Sequence, residues 1–114
     1  MLAKKNRLKK KKDFENVFKK GRSFKEGFLV LKIVDNKSDK IRFGFIVSQK
    51  ISKKATRRNK IKRQISELIR FKIKTIKKRV DGILITLPGI EEKNFSEINE
   101  NIDKLFKKAR VQIV

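Results

Sequence analysis

Between Asp39 and Glu67 the chain carries no acidic side chain. Within that gap the stretch SQKISKKATRRNKIKR at 48–63 holds Lys50, Lys53, Lys54, Arg57, Arg58, Lys60, Lys62 and Arg63. No core can take in such a block, because unpaired charges in a low-dielectric interior cost more than packing returns. It must lie on a surface, where its charges repel one another unless a partner of opposite sign screens them. The block therefore makes one side of the fold cationic and leaves the core to the apolar segments around it.

The chain has 114 residues, with Lys plus Arg 34 against Asp plus Glu 12, a formal net charge of +22. That length is one domain, 1–114. Its first residues, 1–12, are basic and lack an apolar period, so they are expected to be flexible or ordered only by contacts. There is no Cys and no His. This removes a disulfide framework, a thiolate nucleophile, a Cys-ligated zinc site and the usual neutral-pH general base. No apolar run approaches the ~20 residues of a membrane span, and the basic amino end leads into no signal segment. A cytoplasmic location without a membrane partner is expected. Asp13, Asp35, Asp39 and Asp81 show no paired or metal-ligand spacing, and no phosphate-loop pattern occurs. No catalytic residue is assigned, any metal site on the protein is unknown, and no obligate protein partner is evident.

The apolar pattern orders the elements. Phe14, Val17 and Phe18 fall on one face of a short helix, with Asp13 as its expected N-cap and Gly21 as its stop. FLVLKIV at 28–34 and IRFGFIV at 41–47 read as strands. In the second, Ile41, Phe43, Phe45 and Val47 form one face, and the other is expected to be open near Gly44. The segment 21–28 is ambiguous, and 22–24 can extend the first strand. From Thr56 to about Lys78 the period is helical, with Ile61, Ile65 and Leu68 on one face and a stop or bend near Phe71. VDGILITL at 80–87 is a strand ended by Pro88 and Gly89. Asn94 or Ser96 caps a last helix carrying Phe95, Ile98, Ile102, Leu105, Phe106 and Ala109, and Val111, Ile113 and Val114 continue the apolar pattern. The order is α-β-β-α-β-α with an extra early strand in reserve. The simplest architecture is an α/β (α+β) sheet with helices on one face.

The basic block points to a polyanion. On its helix Asn59, Lys62 and Arg63 share one arc opposite Ile61, Ile65 and Leu68. Arginine forks grip phosphates and lysines add point charge. Ser48, at a strand end, can bond a phosphate or its own backbone. Phe14, Phe18, Phe43 and Phe45 can be core or stacking platforms for unpaired bases. Scattered lysines such as Lys4, Lys5, Lys37, Lys74 and Lys78 read as ordinary solvated surface. Aromatic sheet plus basic rim favours RNA over duplex DNA.

The segment Arg58-Asn59-Lys60-Ile61-Lys62-Arg63 resembles the signature of the bacterial ribonuclease P protein component, close to Arg-Asn-Arg-x-Lys-Arg in that family's central helix. The opening RLKKKKDFENVFKKGRSF is similar to the family's, with Arg7, Leu8, Asp13, Phe14, Val17, Phe18, Gly21 and Phe24 in register. FGFIVSQK at 43–50 and DGILITLPG at 81–89 also match. The chain departs from the pattern at Lys60 and Ser66, where the family has or often has Arg. It departs again at Leu87 and Pro88, where the family is often basic.

The resemblance implies a ribosomal-protein-like fold of order α-β-β-β-α-β-α with a mostly four-stranded sheet and a left-handed β-α-β crossover. It implies the protein subunit of an endoribonuclease ribonucleoprotein that removes the 5′ leader of precursor tRNA. The chemistry would be that of an RNA subunit using Mg²⁺. In that reading Lys50, Lys53, Lys54, Arg57, Arg58, Asn59, Lys60, Lys62 and Arg63 bind the catalytic RNA. Phe14, Phe18, Phe43, Phe45 and Ser48 bind the leader, in a cleft between the first helix and the sheet. A ribosomal protein or general RNA chaperone is the alternative. A helix-turn-helix DNA binder and a free-standing nuclease are weaker ones.

Overall fold

The computed structural model describes residues 2–111. Its main elements are α1 (Lys11–Lys20), β1 (Arg22–Glu26), β2 (Leu29–Asp35), β3 (Arg42–Ile46), α2 (Ala55–Lys72), β4 (Val80–Thr86) and α3 (Phe95–Ala109). This is the order implied above. The ambiguous segment is a separate strand, turned into β2 through Gly27 and Phe28. The four-stranded sheet runs β1-β2-β4-β3, with β1·β2 and β2·β4 antiparallel and β3·β4 parallel. A parallel pair needs a long crossover, which α2 supplies. It leaves β3 as an edge strand.

The sheet is covered on both faces, not one. Leu29, Leu31, Ile33, Phe43 and Leu84 face α2 and α3 in the main core. On the other face α1 sets Val17 against Ile83, with Phe14, Val34, Ile46 and Ile85 around them. The surface expected to be open at Gly44 is closed by Phe14. Along α3, Ile98, Ile102, Leu105, Phe106 and Ala109 are buried. Each large aliphatic so buried contributes ~1.5–3 kcal/mol. Asn94 caps this helix by accepting the Glu97 N–H at 2.9 Å. Val111 is buried, whereas Ile113 and Val114 lie outside the described residues.

The structure decides three local expectations. The central helix ends at Lys72, at the expected stop near Phe71, and a 3-10 turn, Ile73–Thr75, follows. Ile73, Thr75 and Ile76 are β-branched and resist helical continuation. Ile76 is buried and Val80 opens β4. Asp13 is not the N-cap of α1. Lys10 holds that position without a side-chain cap, and Asp13 sits in the first turn. Of the two alternatives for the amino end, order through contacts is the one seen, with Leu2 and Leu8 both buried.

Asp13 has another partner. The Arg42 guanidinium reaches Asp81 through Nε (2.9 Å) and Nη2 (2.7 Å), and Asp13 through Nη1 (3.3 Å). Asn36 Nδ2 also donates to Asp81, at 2.8 Å. The hydrogen bonds that Arg42 donates to Asp81 hold its guanidinium protonated beyond its ordinary range, against the cost of burial. This network ties α1, β3, β4 and the β2–β3 turn together. Asp81 is 2% exposed, so Asp81→Ala leaves Arg42 Nε and Nη2 without their acceptor and takes one of two acceptors from Asn36 Nδ2. Urea denaturation should show a loss of about 3 kcal/mol. Adding Arg42→Met should recover much of it.

Candidate nucleic-acid interface

The free edge of β3 is crossed by the amino-terminal segment. Leu2 lies in the main core and Leu8 in the smaller cluster, so the chain passes from one face of the sheet to the other. On the way Arg7 pairs with Phe43 in a parallel bridge, and the Leu8 N–H donates to the Phe43 carbonyl at 2.9 Å. Asn6 Nδ2 donates to the Ile41 carbonyl at 2.7 Å, and the Leu2 N–H to Ser66 Oγ at 3.3 Å. This strap covers backbone groups that an edge strand would otherwise expose.

Strap, α1, β3 and α2 enclose a pocket of about 680 Å³. From α2 come Thr56, Asn59, Lys62, Arg63 and Ser66, one stripe at three- and four-residue spacing. It lies beside the stripe that buries Ile61, Ile65 and Leu68, so the arc read from the sequence faces a real cavity. From the other side come Phe14, Gly44 and Phe45, and from the strap Arg7 and Lys9. Arg7 and Lys9 were missed because the amino end has no period that assigns it a place.

The other expected RNA-binding residues are more dispersed. Lys50, Lys53, Lys54, Arg57 and Lys60 are exposed and do not line this pocket. Lys50, Lys53 and Lys54 belong to the loop before α2. Arg58 is half-buried, and its Nη1 braces that loop by donating to the Ser52 carbonyl at 2.9 Å. Ser48 Oγ accepts the Lys50 N–H at 3.2 Å, so its backbone role is present while its own proton can still donate.

The aromatic set divides between the two faces. Phe14 lies half-buried on Gly44, where an added Cβ would come 2.5 Å from its ring. Phe18 is 43% exposed, with the Lys32 ammonium 5.5 Å from its ring centroid. Beside α1, the half-buried Val30, Ile85 and Ile46 form a row across β2, β4 and β3. Phe43 is corrected outright. It is 1% exposed, on the opposite face from α1, and its ring packs 5.9 Å from that of Phe106. No face is left for a base. Phe45, also on the α2 side, is half-buried and reaches the pocket.

With this geometry in place, comparison with known proteins is informative. The family model for ribonuclease P matches residues 2–110. The ribonuclease P protein component of Syntrophomonas wolfei is 36% identical over 109 residues, covering 96% of this chain and 91% of that protein. That of a Synechocystis species is 37% identical over 111 residues, covering 96% and 90%. Among solved structures, the RNase P protein of Staphylococcus aureus superposes with a TM-score of 0.85 at 32% identity, covering 94% of this chain and 97% of that one. The RNase P protein of Thermotoga maritima gives 0.80 at 33% identity, covering 90% and 96%. The chain belongs to the ribonuclease P protein family.

Two glycines admit the two rings, Gly82 in the core and Gly44 at the pocket, and their cost can be measured. A Cβ at Gly82 would lie 2.6 Å from the Phe43 ring, as one at Gly44 would lie 2.5 Å from Phe14. Phe43 is locked in the core, whereas Phe14 can swing toward solvent. Gly82→Ala should cost about 1–3 kcal/mol and Gly44→Ala less, as read from urea midpoints by circular dichroism. Equal costs would contradict a locked Phe43 ring and a movable Phe14 ring.

Proposed function

We propose that this member of the ribonuclease P family meets RNA chiefly at the β3 edge, and there assists removal of the 5′ leader from precursor tRNA. One observation carries the reading. The arc of Asn59 with the cations Lys62 and Arg63 shares a cavity with the Phe14 ring. Phosphate neutralisation and base stacking are the two interactions that hold single-stranded RNA without strict sequence choice.

Two surfaces follow. The α2 arc, with the exposed cations Lys50, Lys53, Lys54, Arg57 and Lys60 around it, faces the catalytic RNA. Arg58 shapes the loop that carries the first three. The α1 face, with Phe14, Phe18 and the row Val30, Ile85 and Ile46, receives the leader, and Ser48 is a further phosphate donor at its rim. Stacking on an aromatic ring is worth ~1–3 kcal/mol per base.

In this reading the RNA subunit cleaves and the protein brings strands together. Mg²⁺ would supply an activated water and polarise the scissile phosphate. The described residues contain no group of three or more carboxylates able to hold a metal ion, and Asp13 and Asp81 already face Arg42. In this reading the RNA holds the ion. No described helix is long and apolar enough to cross a membrane, and the cytoplasm, where these RNAs would be met, is the proposed location. A ribosomal or chaperone role is not favoured by the family match.

The test is cleavage of a leader-bearing precursor tRNA by a bacterial ribonuclease P RNA at low Mg²⁺, with and without the protein. Cleavage at the mature 5′ end should need both. An unchanged rate with a folded, RNA-binding protein would overturn the proposal. Phe14→Ala should lower affinity for leader-bearing substrate about tenfold and leave leaderless tRNA unaffected. Arg63→Ala should flatten the dependence of log K on log salt by about 0.7–0.9 for each phosphate that the side chain neutralises.

A further inference from the structure

Across the strap from that pocket lies a second, smaller depression of about 310 Å³, lined by seven cations and two carboxylates. We propose that it is a second site for RNA backbone phosphate, continuous with the first. The proposal rests on reading the β3-edge pocket as an RNA site.

The charge balance points to an absent anion. Arg42 is engaged with Asp81 and Asp13, which also neutralises Asp13. Asp39 is the remaining carboxylate. Facing it are Lys4, Lys5 and Lys9 from the strap, Lys10 from the start of α1 and Lys40 from the β2–β3 turn. None of these five makes an ion pair among the described residues. Lys10 and Lys9 also approach the positive end of the α1 dipole, a placement that cations disfavour unless an anion offsets it. Lys4 and Lys5 read as ordinary surface in the sequence, and only the fold gathers them with the rest.

The array is also held in place. Asn6 anchors the strap to the Ile41 carbonyl, and Arg7 Nε donates to the Leu2 carbonyl at 2.7 Å, leaving its outer nitrogens free. In the turn, Asn36 Nδ2 donates to the Lys40 carbonyl at 3.0 Å, and the Lys40 N–H donates to Ser38 Oγ at 3.2 Å. Backbones fixed before binding lower the ordering cost of association. Arg7 and Lys9 line both depressions. A strand leaving the first pocket therefore meets the second without crossing neutral surface. The phosphates could belong to the catalytic RNA or to the leader.

The experiment compares two charge-matched variants in the reconstituted ribonucleoprotein. One carries Lys4→Gln, Lys5→Gln, Lys10→Gln and Lys40→Gln. The control carries Lys74→Gln, Lys77→Gln, Lys78→Gln and Lys107→Gln, all exposed and outside both depressions. Salt dependence is measured for binding of catalytic RNA, and for binding of precursor tRNA with short and long leaders. The first variant should flatten the slope by about 3 and the control by much less. Weaker binding of catalytic RNA, whatever the leader, assigns the phosphates to that RNA. Weaker binding confined to long leaders assigns them to the leader. Equal effects in both variants, or none, overturn the proposal. Should the quadruple variant unfold, Lys5→Gln and Lys40→Gln alone should each flatten the slope by about 0.7–0.9, and no change in either would overturn it. Wild-type protein that fails to stimulate cleavage overturns the parent reading, and this proposal with it.

Discussion

Two phenylalanine rings pressed onto two glycines set the thickness of this molecule. Phe43 sits on Gly82 from the side of α2 and α3, and Phe14 sits on Gly44 from the side of α1. Phe43 and Gly82 are register partners on adjacent strands, and Gly44 is the next residue along β3. The two contacts therefore occur almost back to back through one point of the sheet. With side chains at either glycine, a helix layer would have to lift. The close approach brings α1 near enough to the β3 edge for a ring on α1 and a basic stripe on α2 to line the same cavity.

The scarce acids explain how a chain of net charge +22 keeps its layers together. Asp81 and Asp13 hold Arg42, Asp103 holds Lys72 at 2.7 Å, and Glu26 holds Lys108 at 2.7 Å. These pairs join α1 to the sheet, α2 to α3, and α3 to β1. The Lys108 hydrogen bond keeps the Glu26 carboxyl below its ordinary range. Acids engaged in fastening the layers cannot also neutralise the rim. Among the described residues, the cations on the strap, Lys40 in the β2–β3 turn and those in the first turns of α2 are left without a carboxylate partner. Repulsion that would weaken an isolated domain becomes binding free energy once a polyanion arrives.

Much of this was legible in the sequence. Apolar patterning gave β2, β3, β4 and the amphipathic α3, with Asn94 as one of two candidate caps, because one apolar face per element is what burial requires, whereas β1 stayed ambiguous. The arc of Asn59, Lys62 and Arg63 followed from helix geometry alone. Periodicity separates two faces of a strand, but it does not say which helix covers which face. Phe43 and Phe14 therefore looked equivalent, although one is core and the other a pocket wall. Strand order is equally silent in local pattern. Nothing in IRFGFIV says that β3 is an edge, so nothing says that a strap must cover it. Asp13 looked like a cap because its partner Arg42 is remote in sequence.

Ser66 shows how a departure from a family pattern can be absorbed. The resembling sequences often carry arginine there, and loss of its fork should weaken the α2 stripe. Here Ser66 is 5% exposed, and its hydroxyl accepts the Leu2 N–H. A small side chain at this point lets the amino-terminal strap seat against α2. The seated strap carries Arg7 and Lys9 to the same pocket that Ser66 lines. Cationic charge absent from the helix is thus supplied by the segment that its absence admits. The two features depend on each other: an arginine at 66 would compete with the strap for the space beside Leu2, and a strap without its seat would leave the β3 edge uncovered.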